Sequence, residues 1–155
     1  MTTATLYDWI GGRVVLLALV TRFYDKVAQD PLIGPIFATM GPDHPAHVAD
    51  FMAEVFGGPK LYSTAHGGHP AMIRHHLNRH LTEPQRRRWV SLLLDSYAES
   101  AAPQDPEFAQ ALVSYLEWGS RLAVINSQDG TKVSEDAPMP EWGWGVVGGP
   151  YQPKD

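Results

Sequence analysis

The sequence predicts an all-α protein, and three observations lead there. Apolar side chains recur at three- and four-residue spacing through most of the chain, which stacks them on one face of a helix. Helix-start signals stand ahead of these stretches: Pro45 and Pro70 fit first turns, Thr82 with Gln85 makes a capping box, and Asp105 caps ahead of Pro106. No stretch alternates as a half-buried strand should.

In order, residues 13–28, "RVVLLALVTRFYDKVA", place Leu17, Val20, Tyr24 and Val27 on one stripe, so a phenol joins the buried face. Pro31 and Pro35 then permit only a short helical turn, which delivers Phe37 just before the break "MGPD". The next helix carries His44, His47, Val48, Phe51, Met52 and Val55 on one face until Gly57 and Gly58 end it. "YSTAHGG", residues 62–68, reads as a loop. Pro70 opens a helix whose inward stripe is Met72, Ile73, His76 and His80; His75 points roughly 100 degrees away from His76, so the two neighbours cannot serve one site. The helix after Thr82 carries Trp89, Leu93 and Tyr97, and the last helix carries Phe108, Leu112, Tyr115 and Leu122. From Gln128 onward the chain is rich in Pro and Gly and has no helical period. The organisation expected is one domain over 1–127 and a tail over 128–155. Trp142 and Trp144 make that tail either idle or a lid, since two large aromatics so close together often dock on a surface.

The totals fit this plan. At 155 residues with 44% hydrophobic side chains, the chain can bury one core of ordinary size. Twelve basic against seventeen acidic groups leave a formal charge of −5 and no basic block, so nucleic acid is not expected as a partner. The absence of cysteine rules out disulfides, thiolate metal sites and a cysteine nucleophile, and fits a reducing compartment. The longest apolar run, "VVLLALV", is too short to span a bilayer and lacks the flanks of a signal peptide, so a cytoplasmic protein without a membrane partner is expected.

All seven histidines fall between His44 and His80, four of them in "GGHPAMIRHHLNRHL". The inward faces thus gather Tyr24, His44, His47, His76, His80 and the Trp89 indole within apolar stripes. A flat apolar cofactor with a metal uses such a mixture: haem needs a neutral imidazole nitrogen for its iron, a greasy slot for its ring and hydrogen-bond donors on the open face. From spacing alone the plainer reading also stands, in which His76 is a partly buried histidine and Tyr24 a core tyrosine.

The order of the pieces adds a resemblance. "FYDKV", "DPLIGPIF", "HVADFMAEVFGGPKLYS", "GGHPAMIRHHL" and "QRRRWV", together with the Gly11-Gly12 pair, resemble the second group of truncated haemoglobins over about Leu6 to Asn126. The resemblance implies the truncated globin fold, a two-on-two helical sandwich, with haem b as cofactor. It implies that His76 is the proximal iron ligand, Tyr24 the distal tyrosine, Phe37 the aromatic flat against the haem, and Trp89 the tryptophan that reaches the bound ligand. Tyr62 and basic groups near His75 and Arg79 fall where the family holds the propionates, and Val48, Phe51, Met72 and Leu77 join the expected lining. Oxygen, carbon monoxide and nitric oxide are the ligands implied, served by a reductase, in a monomer or homodimer.

One position departs from the pattern. His44 stands at a distal position where this group often has a small residue; it donates to oxygen, binds iron, or gates the pocket from the solvent edge, and the gate is the preferred reading. In a further alternative His44 is an exposed terminal residue and His47 lies nearer the haem edge. His75 replaces a common arginine, which makes propionate pairing pH dependent. Donors from Tyr24 and Trp89 favour tight oxygen retention, hence storage, sensing or detoxification over delivery, with peroxidase or nitric oxide dioxygenase activity as the alternative. Two rivals come from other classes: a non-haem zinc or iron enzyme using His76 and His80, about 40 degrees apart on one face, with His44 or His47; and a cofactor-free helical interaction domain using the tail's tryptophans.

Overall fold

A computed structural model describes residues 3–145, and its regular structure there is entirely helical. Thr5 opens the first helix, α1 (Leu6–Ile10), by accepting the Asp8 amide on its hydroxyl at 3.0 Å. Gly11, at φ +110°, ends α1 and starts α2 (Gly12–Gln29); a Cβ there would lie 2.7 Å from the Val15 side chain, so the tight corner needs glycine. α2 buries Leu16, Leu19, Val20, Phe23, Tyr24 and Val27, while Leu17 is only half-buried, because the inward stripe is centred one position away from the one expected.

A 3₁₀ turn, Gly34–Phe37, follows, and α3 (His44–Val55) starts with Pro45 in its first turn. α4 spans Leu61–His66 and α5 Gly68–His76. α6 (Glu83–Ala98) has the full capping box, and α7 (Pro106–Asn126) starts with the Asp105 carboxylate accepting the Phe108 amide at 3.0 Å. The core lies where α2 packs on α3 and α6 and α6 packs on α7; α5 meets chiefly α4 and α7. No helix among the described residues is long and apolar enough to cross a membrane.

Three local expectations need correction. The stretch read as a loop holds α4, whose first turn is capped from another helix: the Glu54 carboxylate of α3 accepts the Ser63 amide at 2.8 Å. A cap supplied from a distant residue leaves no local signal. His80 is not on the helix of His76, because α5 stops at His76 and the chain then turns through left-handed Asn78 (φ +60°) and His80 (φ +51°). His80 is exposed; its amide donates to the Ser127 carbonyl at 2.9 Å and its Nε2 pairs with Asp129 at 2.6 Å. Leu122 is half-buried rather than part of the inner stripe.

Trp142 and Trp144 dock. The Trp142 amide donates to the Val55 carbonyl at 2.8 Å, and its ring lies 5.7 Å from Tyr115 and 5.4 Å from Trp118. The Trp144 indole N–H donates to the Ala4 carbonyl at 2.7 Å, with Trp9 at 5.8 Å and Phe108 at 6.2 Å. Both rings therefore sit on an aromatic patch of α1 and α7. Residues 146–155 of the expected tail lie outside the described residues.

Candidate functional site

Tyr24, on the inner face of α2, is 4% exposed, and its hydroxyl lies 3.0 Å from His44 Nε2 at the start of α3. Burial pushes this phenol far above the ordinary tyrosine range, with the Trp89 side chain offsetting part of the rise, so the hydroxyl keeps its proton at any physiological pH. Aromatic rings close around it: Phe23 at 4.7 Å, His44 at 4.8 Å and Phe37 at 5.5 Å, with Trp89 of α6 standing 5.3 Å from Phe23.

His44 is half-buried, and His47 is exposed and turned to α4, where its ring packs at a tilt against His66 at 4.3 Å. The alternative that put His44 outside and His47 inside is therefore reversed. Pro45 fits the first turn and fixes the helix start at His44, which meets α2 through Tyr24; His47 lies about 60 degrees around the axis, enough to meet α4 instead. Burial holds the His44 imidazole down to about 4, and charge on His47, His75, Arg79 and His76 adds to the lowering. His44 is therefore neutral at pH 7.

His76 is the last residue of α5. Its Nδ1 hydrogen-bonds the Met72 carbonyl at 2.8 Å, which places the ring proton on Nδ1 and leaves the Nε2 lone pair uncommitted. Burial lowers its pKa and keeps it neutral. An oriented neutral imidazole whose other nitrogen is held by a carbonyl is the form in which histidine ligates a metal. His75 and Arg79 are exposed beside it.

The apolar neighbours tell the same story by their exposure. Phe37, Val48, Met72, Leu77 and Trp89 remain half-buried, whereas Phe23, Val20 and Leu93 behind them are sealed at 0%. A half-open apolar rim between a neutral imidazole and a buried phenol fits a flat apolar ring carrying a metal. Two lining residues lie deeper. Phe51 is 7% and Tyr62 2% exposed, packed on each other at 5.0 Å, and burial raises the Tyr62 hydroxyl.

Sequence reasoning did not foresee His66. It packs between His47 and Tyr62, and its Nε2 lies 3.4 Å from Asp50, which also receives Arg13 at 2.8 Å. Only the recognition of α4 as a helix would have brought it to this edge. Among the described residues no three His, Cys, Asp or Glu side chains gather to cage a metal by themselves, and with His80 off the helix the pairing of His76 and His80 loses its geometry.

Comparison with known proteins gives the family. A family model for bacterial-like globins matches residues 5–119. The group 2 truncated hemoglobin YjbI of Bacillus subtilis (strain 168) is 34% identical over 117 residues, covering 76% of this chain and 86% of that protein. The truncated oxygen-avid haemoglobin from Bacillus subtilis superposes with a TM-score of 0.69 at 30% identity, covering 78% of this chain and 99% of the other. The group II truncated hemoglobin from Bacillus anthracis superposes with a TM-score of 0.72 at 23% identity, covering 84% and 98%, a likeness of fold.

Proposed function

The chain belongs to the bacterial-like globins, as a truncated haemoglobin of the second group whose cofactor is haem, and from that premise we propose that it retains oxygen at a pentacoordinate iron held by His76. Haem, when bound, supplies an iron with one face open to a diatomic gas. The single observation that carries the reading is the His76 ring, with Nδ1 held by the Met72 carbonyl and Nε2 left over. The half-open apolar rim supports placing the ring between α3 and α5.

On the distal side the work falls to Tyr24. Its hydroxyl carries one proton, and that proton reaches a guest only if His44 acts as donor, with Nε2–H directed at the phenol oxygen. In that tautomer His44 orients Tyr24 and has no lone pair on Nε2 to offer a metal, so the proposed pentacoordination and the proposed Tyr24 donor stand or fall together. The Trp89 indole N–H is the second donor. Hydrogen bonds to a guest that carries partial negative charge contribute about 1.5–3 kcal/mol each, so the pair slows escape more than it speeds entry. Slow escape suits storage, sensing or chemistry on the retained gas rather than delivery.

The test is spectroscopic and kinetic. The purified protein should show a Soret band, its deoxy ferrous form should have the spectrum of a five-coordinate haem, and oxygen should leave slowly. A six-coordinate deoxy spectrum, lost on replacing His44 with Leu, would show His44 as a second iron ligand and overturn the scheme.

A further inference from the structure

The helix that ends in His76 is poorly supported by itself. α5 has nine residues, fewer than a free helix needs to persist in water, and its N-cap is Gly67, which offers no side-chain hydrogen bond. Gly67 and Gly68 both sit in the left-handed region, at φ +92° and +71°. His76 is the terminal residue, where helices fray.

The tail runs along this helix in the opposite direction. Asp129 pairs with His80 at 2.6 Å, Glu135 pairs with Arg74, and the Pro138 carbonyl meets His69 Nδ1 at 3.0 Å. Tail positions 129, 135 and 138 thus meet positions 80, 74 and 69, so the tail lies antiparallel to α5 and the turn that follows it. Immediately beyond Pro138 the segment is pinned through Trp142 to Val55 and Tyr115, and through Trp144 to Ala4 and Trp9. Each exposed polar contact along α5 is weak alone. Pinned aromatic anchors keep those contacts in place by holding their partners at high effective concentration. All of these tail residues lie beyond the span that matches the globin family model.

We infer that residues 128–145 are a splint for α5, and that Glu135, Trp142 and Trp144 are positioning residues for His76. The positioning half rests on His76 being the iron ligand; the splint itself does not. The test uses the full chain with Trp142→Ala and Trp144→Ala together, and reads amide hydrogen exchange over residues 68–76, release of haem to an apomyoglobin trap, and the iron–histidine stretching band of the deoxy protein. Exchange in α5 should quicken about tenfold with α6 unchanged, the scale of about 1.4 kcal/mol of lost protection. Haem should leave faster and the stretching band should shift or broaden. Glu135→Lys, which touches no apolar anchor, covers the case in which the double variant does not fold, and should quicken α5 exchange about two- to threefold. Unchanged exchange over 68–76 in the folded variants overturns the splint; faster exchange with unaltered haem release and stretching band overturns the positioning role. His76→Ala, run alongside, isolates the reading beneath: haem kept by that variant removes His76 as ligand and leaves the exchange data to judge the splint.

Discussion

The wall around Tyr24, distal in the proposed reading, rests on α2, α3 and α6, helices of 18, 12 and 16 residues that bury one another, whereas the wall around His76, proximal in that reading, rests on α5, nine residues long and leaning on α4, α7 and the tail. On the distal side even the polar ties are built in. Asp30, 6% exposed, accepts the Leu32 and Ile33 amides at 3.0 Å and the Arg88 guanidinium at 2.6 Å, joining the end of α2 to α6. Lys26 and Arg22 of the same helix add surface ion pairs to Glu99 at 2.8 Å, so the contrast rests on Asp30 and on the apolar packing. On the proximal side the ties are exposed and come from far along the chain. In the proposed reading, the difference sets a firmly packed pair of hydrogen-bond donors, Tyr24 and Trp89, opposite a helix, α5, whose support comes from outside it.

The largest expected effect breaks the proximal side alone. His76→Ala removes the only imidazole of α5 aligned by the Met72 carbonyl, and haem should be lost or bound with an altered Soret spectrum. His80→Ala should keep haem, because His80 is exposed and bonded to Asp129. Haem loss from the His80 variant with retention in the His76 variant would reverse the assignment. Next in size is the distal side: Tyr24→Phe should accelerate oxygen dissociation about tenfold or more, and Trp89→Phe should add to it. Stopped-flow displacement by carbon monoxide measures both, and unaltered rates in both single variants and the double would remove the distal scheme.

The same contrast explains what the sequence made legible. The distal wall is written in local patterns: the stripe that carries Tyr24, the capping box at Thr82 and the Pro45 start of α3 each need only a few neighbouring residues. Proximal features were missed where the cause was distant. α4 is capped by Glu54, His80 is turned out by the Ser127 carbonyl, and His66 finds His47 only once α3 and α4 are packed. Periodicity cannot carry such information. Which of two nearby histidines turns inward at α3 was likewise left open by spacing and decided by packing, His44 meeting Tyr24 of α2 and His47 meeting His66 of α4.

A smaller effect tests how firmly the distal pocket is closed. His44, held down to about 4, binds its proton less readily in the folded chain than in the unfolded one, where the value is near 6.5. The unfolded state therefore carries more protons between those values, so the haem-free chain should be fully stabilised above about pH 6.5 and lose stability as pH falls toward 4. Solvent reaching the half-buried ring keeps the loss modest. Half-buried His76 and His69 contribute with the same sign, so His44→Gln should flatten the slope only in part. Denaturation midpoints measured from pH 7.5 to 4.5 supply the comparison, and identical slopes would mean that His44 is solvated in the folded chain.

The smallest effect separates a cap within one helix from support between elements. Thr82 Oγ1 accepts the Gln85 amide at 3.3 Å, and Gln85 Oε1 accepts the Thr82 amide at 2.9 Å, so Thr82→Ala removes one of the two bonds that start α6. The expected cost is about 1 kcal/mol, a melting point lower by roughly 2–4 °C for a chain of this size. Because α6 is braced along its length by α2 and α7, that loss should be spread over the whole fold, and oxygen dissociation should not change although Trp89 lies on the same helix. Gly67→Ala offers the proximal counterpart. It forces a side chain into a backbone at φ +92° with the Ala71 methyl 3.2 Å away, a cost of about 1–2 kcal/mol. That cost should be felt at α5, as faster exchange over residues 68–76 and faster haem release for a similar drop in melting point. If Thr82→Ala instead altered oxygen dissociation as much as Gly67→Ala altered haem release, the distal wall would be no more rigid than the proximal one.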